Sequence, residues 1–111
     1  MIQPTLFAEN TENAETEKVL LYALGDFQSR GLTLADRELP LDRLRGAFKR
    51  ATDKFGLEEF SDEKIAENLE KLGAKIVKVP NYVAKHPFRI TISNNLAEKS
   101  NKFYQELINN D

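Results

Sequence analysis

Apolar residues recur at helical spacing in four stretches of the chain, and this pattern predicts four helices. The first stretch shows it plainly, because Leu20, Ala23, Leu24 and Phe27 stand at i, i+3, i+4 and i+7 and so share one face. The other three stretches repeat in a similar way, and a glycine directly follows three of the four. The predicted helices span about residues 13–30, 41–55, 62–72 and 95–109.

Polar residues predict where three of these helices begin. Asn13, Ser61 and Asn95 can each cap a helix N-terminus with a side-chain oxygen. Glu98 stands three residues after Asn95, as in a capping box. These signals place the starts of the first, third and fourth helices.

Two segments lack helical periodicity. Residues 1–12 contain Pro4 and no apolar pattern, so we expect a flexible N-terminal arm followed by a single domain of residues 13–111. The segment LTLADRELP, residues 32–40, fits either a short helical turn at Thr33–Asp36 or a brief strand at Leu32–Leu34. The pattern does not decide between these two alternatives.

The period changes to two after the third helix, which predicts a β-hairpin. Phe88, Ile90 and Ile92 alternate with polar residues, as in a half-buried strand. The partner strand, about residues 75–79, alternates less cleanly, so we expect either a β-bulge or partial cover on both faces. Two prolines bound the intervening loop PNYVAKHP.

The resulting order is helix, helix, helix, hairpin, helix, which is an α+β fold. Within it, LEKLGAKIVKV joins a leucine-rich helix end to a strand through Gly73. This arrangement resembles a small winged-helix domain over about residues 14–93, with the hairpin of residues 74–93 as its wing and a C-terminal helix behind it. The resemblance implies DNA binding with the third helix in the major groove. However, that helix carries four acids and two bases, and phosphate would repel it.

Charge is distributed unevenly along the chain. The net charge is −2, yet residues 74–93 hold four basic residues and no acid. We therefore predict that the hairpin contacts nucleic acid, with phosphate contacts from four cations and contributions from Tyr82, by stacking, and His86. Tyr82 can equally anchor in a protein pocket. The four cations are Lys75, Lys78, Lys85 and Arg89.

Helix two offers a second basic stripe. Arg43, Arg50 and Lys54 lie within about 40° of each other on a helical projection and are predicted to extend the nucleic-acid interface. Each basic group also has a simpler explanation. Lysines and prolines protect an exposed strand edge from pairing, helix-two cations form ion pairs on a solvated face, and His86 is an exposed loop residue.

Composition narrows the function further. The chain has no cysteine and one histidine, which excludes disulfides and thiolate metal sites and fits a reducing compartment. There is no signal-peptide pattern, no membrane-spanning apolar run and no recognisable catalytic motif. We expect a cytoplasmic, non-enzymatic protein that binds no cofactor, no metal ion and no membrane.

The predicted function is a winged-helix nucleic-acid-binding protein, in the manner of a transcription regulator, that contacts DNA mainly through the basic hairpin. The alternative is a protein–protein interaction module on the same scaffold, without DNA binding, whose partner is an acidic protein. The C-terminal helix either folds back on its own core or forms a homodimer through Phe103, Tyr104, Leu107 and Ile108.

Overall fold

The computed structural model describes residues 3–79 and 88–109, with side chains described from residue 15 onward. These residues form an α+β fold of four helices and one three-stranded antiparallel sheet, which confirms the predicted fold class. None of the described helices is both long enough and apolar enough to cross a membrane. The elements in chain order are α1 (Gln3–Ser29), β1 (Glu38–Pro40), α2 (Leu41–Lys54), α3 (Asp62–Lys71), β2 (Lys75–Lys78), β3 (Phe88–Thr91) and α4 (Asn94–Asn109).

The core is built around α1, which packs against both α2 and α4. Its predicted stripe is buried throughout, and Leu21 on a second face is buried as well, because a second helix covers that side. The stripes of α2 and α3 also face the core, as their spacing predicts. Their buried members include Leu41, Leu44, Phe48, Ile65 and Leu69.

The helix predicted to begin at Asn13 begins at Gln3 instead, so residues 3–12 are helical and the expectation that they lack regular structure was wrong. Pro4 does not oppose this start, because a proline in the first helical turn lacks only an N–H that would have no intrahelical partner. The segment also contains the good helix formers Ala8, Glu9 and Glu12. Helix formers without an apolar stripe give no periodic signal, so the pattern missed them.

The sheet has β3 at its centre, in the order β1–β3–β2. Ile90 of β3 lies opposite Leu39 of β1 and Ile76 of β2, and it is buried in the core. The register of β2 against β3 is continuous from Lys75 to Lys78, so the predicted bulge is absent from the described strands. Cover is found mainly on one face, since Ile76 on the inner face is half-buried and Val77 on the other face is exposed, at 36%.

Sequence reasoning missed β1 and proposed a turn or strand a few residues too early. Glu38–Pro40 is only three residues long and has one buried side chain, Leu39, so it gives almost no alternating signal. Pairing with β3 makes it a strand. The chain is held just before it by the Asp36 N–H, which donates to the Ile92 carbonyl at 2.7 Å.

The predicted N-cap of α3 is present in the structure, whereas the N-cap of α4 is a different residue from the one predicted. The Ser61 hydroxyl accepts from the Lys64 N–H at 3.2 Å, which confirms Ser61 as the N-cap of α3. The cap of α4 is Ser93, whose hydroxyl accepts from the Leu96 N–H, and not Asn95, which lies inside the helix. The helix therefore starts earlier than predicted, at Asn94, after a two-residue connection from β3.

Helices α1 and α4 approach closely at Gly25. A Cβ atom at this position would overlap the Tyr104 Cβ and would lie 2.7 Å from the Ser100 carbonyl oxygen. On one side Tyr22 and Tyr104 pack with ring centroids 5.0 Å apart, and on the other the Gln28 side-chain amide donates to the Ala97 carbonyl at 2.9 Å. The interface thus depends on a residue without a side chain.

We predict that Gly25→Ala destabilises the fold by about 1–3 kcal/mol, because the added methyl group cannot be placed without moving α4. Gly46→Ala is the matched control. Gly46 is exposed within α2, and its Cβ would meet only the Arg50 guanidinium, at 3.4 Å, which is an ordinary van der Waals contact. There the better helix propensity of alanine should stabilise by up to about 1 kcal/mol. Urea unfolding measures both, and stabilisation by both substitutions would contradict the close contact.

Candidate functional site

The alternation of β3 gives the sheet two chemically different faces. Phe88 and Ile90 point inward with Ile76, whereas Arg89 lies opposite Val77 and Thr91 lies opposite Lys75. We use the term outer sheet face for the residues on the side away from the core. They are Glu38, Pro40, Lys75, Val77, Arg89 and Thr91.

The outer sheet face presents two of the predicted cations to solvent. Lys75 is exposed and Arg89 is half-buried, and within the described ranges neither forms an ion pair. Glu38, opposite Thr91 on β1, is the acid that the described strands add to this face. Val77 lies exposed between the two cations, so the surface combines positive charge with a small apolar centre.

Lys78 belongs to the opposite side of the hairpin. It pairs with Phe88, and its ammonium lies 5.7 Å from the centre of the Phe88 ring, within the range of a cation–π contact. It therefore does not share a face with Lys75 and Arg89. The remaining predicted hairpin residues, Tyr82, Lys85 and His86, lie outside the described residues.

Two of the three basic residues predicted to form a stripe on α2 interact with other parts of the chain, and among the described residues the third does not form an ion pair. Arg50 donates from its Nε to the Asp26 carboxylate at 2.8 Å, and the Asp26 side chain is 7% exposed. Lys54 also has an interaction partner. Arg43, in contrast, is exposed and has no ion pair within the described part of the chain. Of the three cations, Arg43 is the one best placed to meet an external ligand.

A third arginine of α2, Arg45, also turns toward acids. Its guanidinium donates to both carboxylate oxygens of Asp62, at 2.8 and 2.9 Å, and its Nε lies 3.7 Å from Asp42. Asp62 is the first residue of α3. The contact ties α2 to the start of α3 and neutralises one of the few cations close to that helix.

The solvent side of α3 is acidic and borders the hairpin. Glu63, Glu67 and Glu70 lie at i, i+4 and i+7 and line an open groove of about 280 Å³, whose other walls are Ala66, Ile76 and Phe88. We call these six residues the α3–hairpin groove. The sequence revealed the acids of α3, but their position beside the inner face of the hairpin depends on packing between separate elements.

The α4 residues predicted for a homodimer are partly used by the chain's own fold. Tyr104 packs on Tyr22 and on the backbone near Gly25, and Phe103 packs against the core. Leu107 is half-buried, and Ile108 is 39% exposed. The apolar surface that α4 offers a partner is therefore smaller than the sequence indicated.

Among the described residues, no group of three or more histidine or acidic side chains is arranged to hold a metal ion. The buried polar groups have structural partners instead. Ser100 donates to the Ala97 carbonyl and Thr52 to the carbonyls of Phe48 and Lys49.

In comparisons with known proteins, no family model, no curated protein and no solved structure was significantly similar to this chain.

We predict that Arg50 serves stability and that Arg43 does not. Arg50→Ala should lower the free energy of unfolding by about 1–3 kcal/mol, because it leaves the buried Asp26 carboxylate without its closest partner. Arg43→Ala, the same change on the same helix, should stay within about 0.5 kcal/mol of the parent chain. Urea unfolding of both variants measures the difference, and equal losses would contradict the assignment.

Proposed function

We propose that this chain is a non-enzymatic, winged-helix-like nucleic-acid-binding protein that contacts the phosphate backbone through the outer sheet face. The observation that carries the proposal is that Lys75 and Arg89 lie on the same outer face of a segment with four bases and no acid. Binding to phosphate is driven by lysine and arginine with release of counterions. A cytoplasmic regulator of transcription is the role that fits such binding.

The geometry supports contact through the hairpin in preference to α3. Glu63, Glu67 and Glu70 cover the solvent side of α3, so a phosphate backbone laid along that helix would meet carboxylates. The nearby Arg45 is already paired with Asp62 and Asp42. The outer sheet face projects from the other side of the same strands, away from the groove that these acids line.

Because few cations are available, we expect binding to nucleic acid to be weak and to show little sequence specificity. Two or three phosphate contacts, from Lys75, Arg89 and Arg43, give weak binding with a shallow dependence on salt. Phosphate contacts position a protein on a duplex without reading its sequence. We therefore expect little preference among duplexes of different sequence.

A second candidate function has its own supporting observation. The acids of α3 and the apolar side chains beside them form a surface suited to a protein partner rather than to nucleic acid. A protein-interaction module on this scaffold is consistent with that surface, and fold alone does not decide between the two functions.

The nucleic-acid proposal predicts a specific loss of affinity in Lys75→Glu/Arg89→Glu. The probe is a fluorescein-labelled duplex of about 20 base pairs, followed by fluorescence anisotropy between about 50 and 200 mM NaCl. The double variant should bind about tenfold or more weakly at low salt, and its salt slope should fall by about 2, because two phosphate contacts are lost.

Lys71→Glu/Lys102→Glu is the matched control, because it makes the same change in net charge at exposed positions outside the outer sheet face. Its effect should be clearly smaller. Equal losses in the two double variants would mean that net charge alone governs binding. A parent chain that binds duplex more weakly than about 100 μM at low salt would refute the proposal itself.

A homodimer through α4 remains a prediction, and the apolar surface available for it is smaller than the sequence indicated. Phe103 and Tyr104 pack within the chain, so Leu107 and the exposed Ile108 would have to supply the interface. If a dimer forms there, Ile108→Glu should weaken it about tenfold or more by placing a charge in an apolar contact. Sedimentation equilibrium at micromolar concentration tests this, and a monomeric parent chain would contradict the dimer.

A further inference from the structure

We propose that the α3–hairpin groove binds a lysine- or arginine-rich segment of a partner protein, with an apolar side chain of that segment seated on Ile76 and Phe88. The groove lies on the inner side of the hairpin and does not include Lys75 or Arg89. The proposal is therefore independent of nucleic-acid binding and concerns a different ligand on a different surface.

The floor of the groove is apolar surface that the fold covers only in part. Ile76, opposite the buried Ile90, and Phe88, opposite Lys78, are both half-buried, and Ala66 of α3 also lines the groove. Burial of such surface by a partner is favourable at roughly 25 cal/mol per Å². One leucine-sized side chain is a suitable occupant for this floor.

The wall formed by α3 determines the charge of the partner. Glu63, Glu67 and Glu70 are exposed along one side, and the described cations near them do not cancel their charge. Lys71 lies 3.9 Å from Glu67 with both side chains largely exposed, so water screens that pair. Lys78 lies over the Phe88 ring at the hairpin side of the groove. A cationic segment complements this wall, whereas nucleic acid would be repelled.

The size of the groove favours a peptide over a small molecule. Its volume of about 280 Å³ is slightly below the roughly 300–1,000 Å³ of typical small-molecule pockets, and it is open along the helix. An extended segment can follow three acids spaced over two turns of α3, with lysines alternating around one buried apolar residue. A compact ligand could reach only part of that row.

The test uses a fluorescein-labelled hexapeptide, KLKKLK, titrated with the full-length chain at about 50 mM NaCl and followed by anisotropy. Two peptides separate the contributions of charge and apolar contact: ELEELE reverses the charge, and KSKKSK removes the apolar side chains. KLKKLK should bind, ELEELE should show no binding, and KSKKSK should bind about fivefold or more weakly, because serine cannot supply the apolar side chain that the floor of the groove would bury.

The paired variants locate the site. Glu67→Gln/Glu70→Gln should weaken binding of KLKKLK about fivefold, because two exposed charge contacts are lost. Glu58→Gln/Glu59→Gln removes the same charge from exposed positions outside the groove and should change affinity less than twofold. Both double variants should keep the parent chain's duplex affinity or exceed it, which separates this proposal from the nucleic-acid one.

Four results would overturn the proposal. The first is no binding of KLKKLK, and the second is equal binding of KLKKLK and KSKKSK. The third is an equal loss of KLKKLK affinity in the two double variants, since it would show that the peptide responds to the overall negative charge of the protein and not to the groove. Self-association of the parent chain that Glu67→Gln/Glu70→Gln abolishes would likewise overturn it, by showing that a second copy is the occupant.

Discussion

The central strand β3 is the constraint on which the arrangement of both candidate surfaces depends. Ile90 is held in the core between Leu39 and Ile76, and this fixes the register of both neighbouring strands. A slip of one residue would turn Arg89 into the core and Ile90 into solvent, at a cost that the fold cannot offset. The strand therefore presents Arg89 outward and Phe88 inward, and one hairpin carries a cationic face and an acid-bordered groove.

The helices keep this strand in place through contacts distant from either surface. The core of α1 depends on the close approach of α4 at Gly25, and the Arg50–Asp26 ion pair holds α2 against α1. The hydrogen bond from the Asp36 N–H to the Ile92 carbonyl holds the segment before β1 against the residue after β3, and the Ser93 cap starts α4 next to it. Substitutions at these positions should change binding only by changing the stability of the fold. A surface variant therefore needs a matched control, so that a direct loss of contact can be told from a loss of stability.

Sequence reasoning succeeded where a single element contains the whole signal. The buried stripes of α1, α2 and α3, the Ser61 cap and the alternation of β3 all follow from local spacing. It failed where the partner lies elsewhere in the chain. The strand β1 exists through pairing with β3, and a helical projection of α2 could not show that Arg50 meets Asp26, which is 24 residues away. Gly25 lies one turn after Leu21, on the second face of α1, so the predicted stripe gave no signal of the close helix packing there.

Charge counting along the sequence identified the hairpin but could not sort its residues by face. The register separates Lys75 and Arg89 from Lys78, and it places the acids of α3 beside the inner face only. Backbone amide chemical shifts of the ¹⁵N-labelled chain, titrated with duplex DNA at low salt, test this division most directly. The account predicts the largest changes at Lys75, Val77 and Arg89, with little change at Glu67 and Glu70. Largest changes along α3, or none in the hairpin, would contradict it.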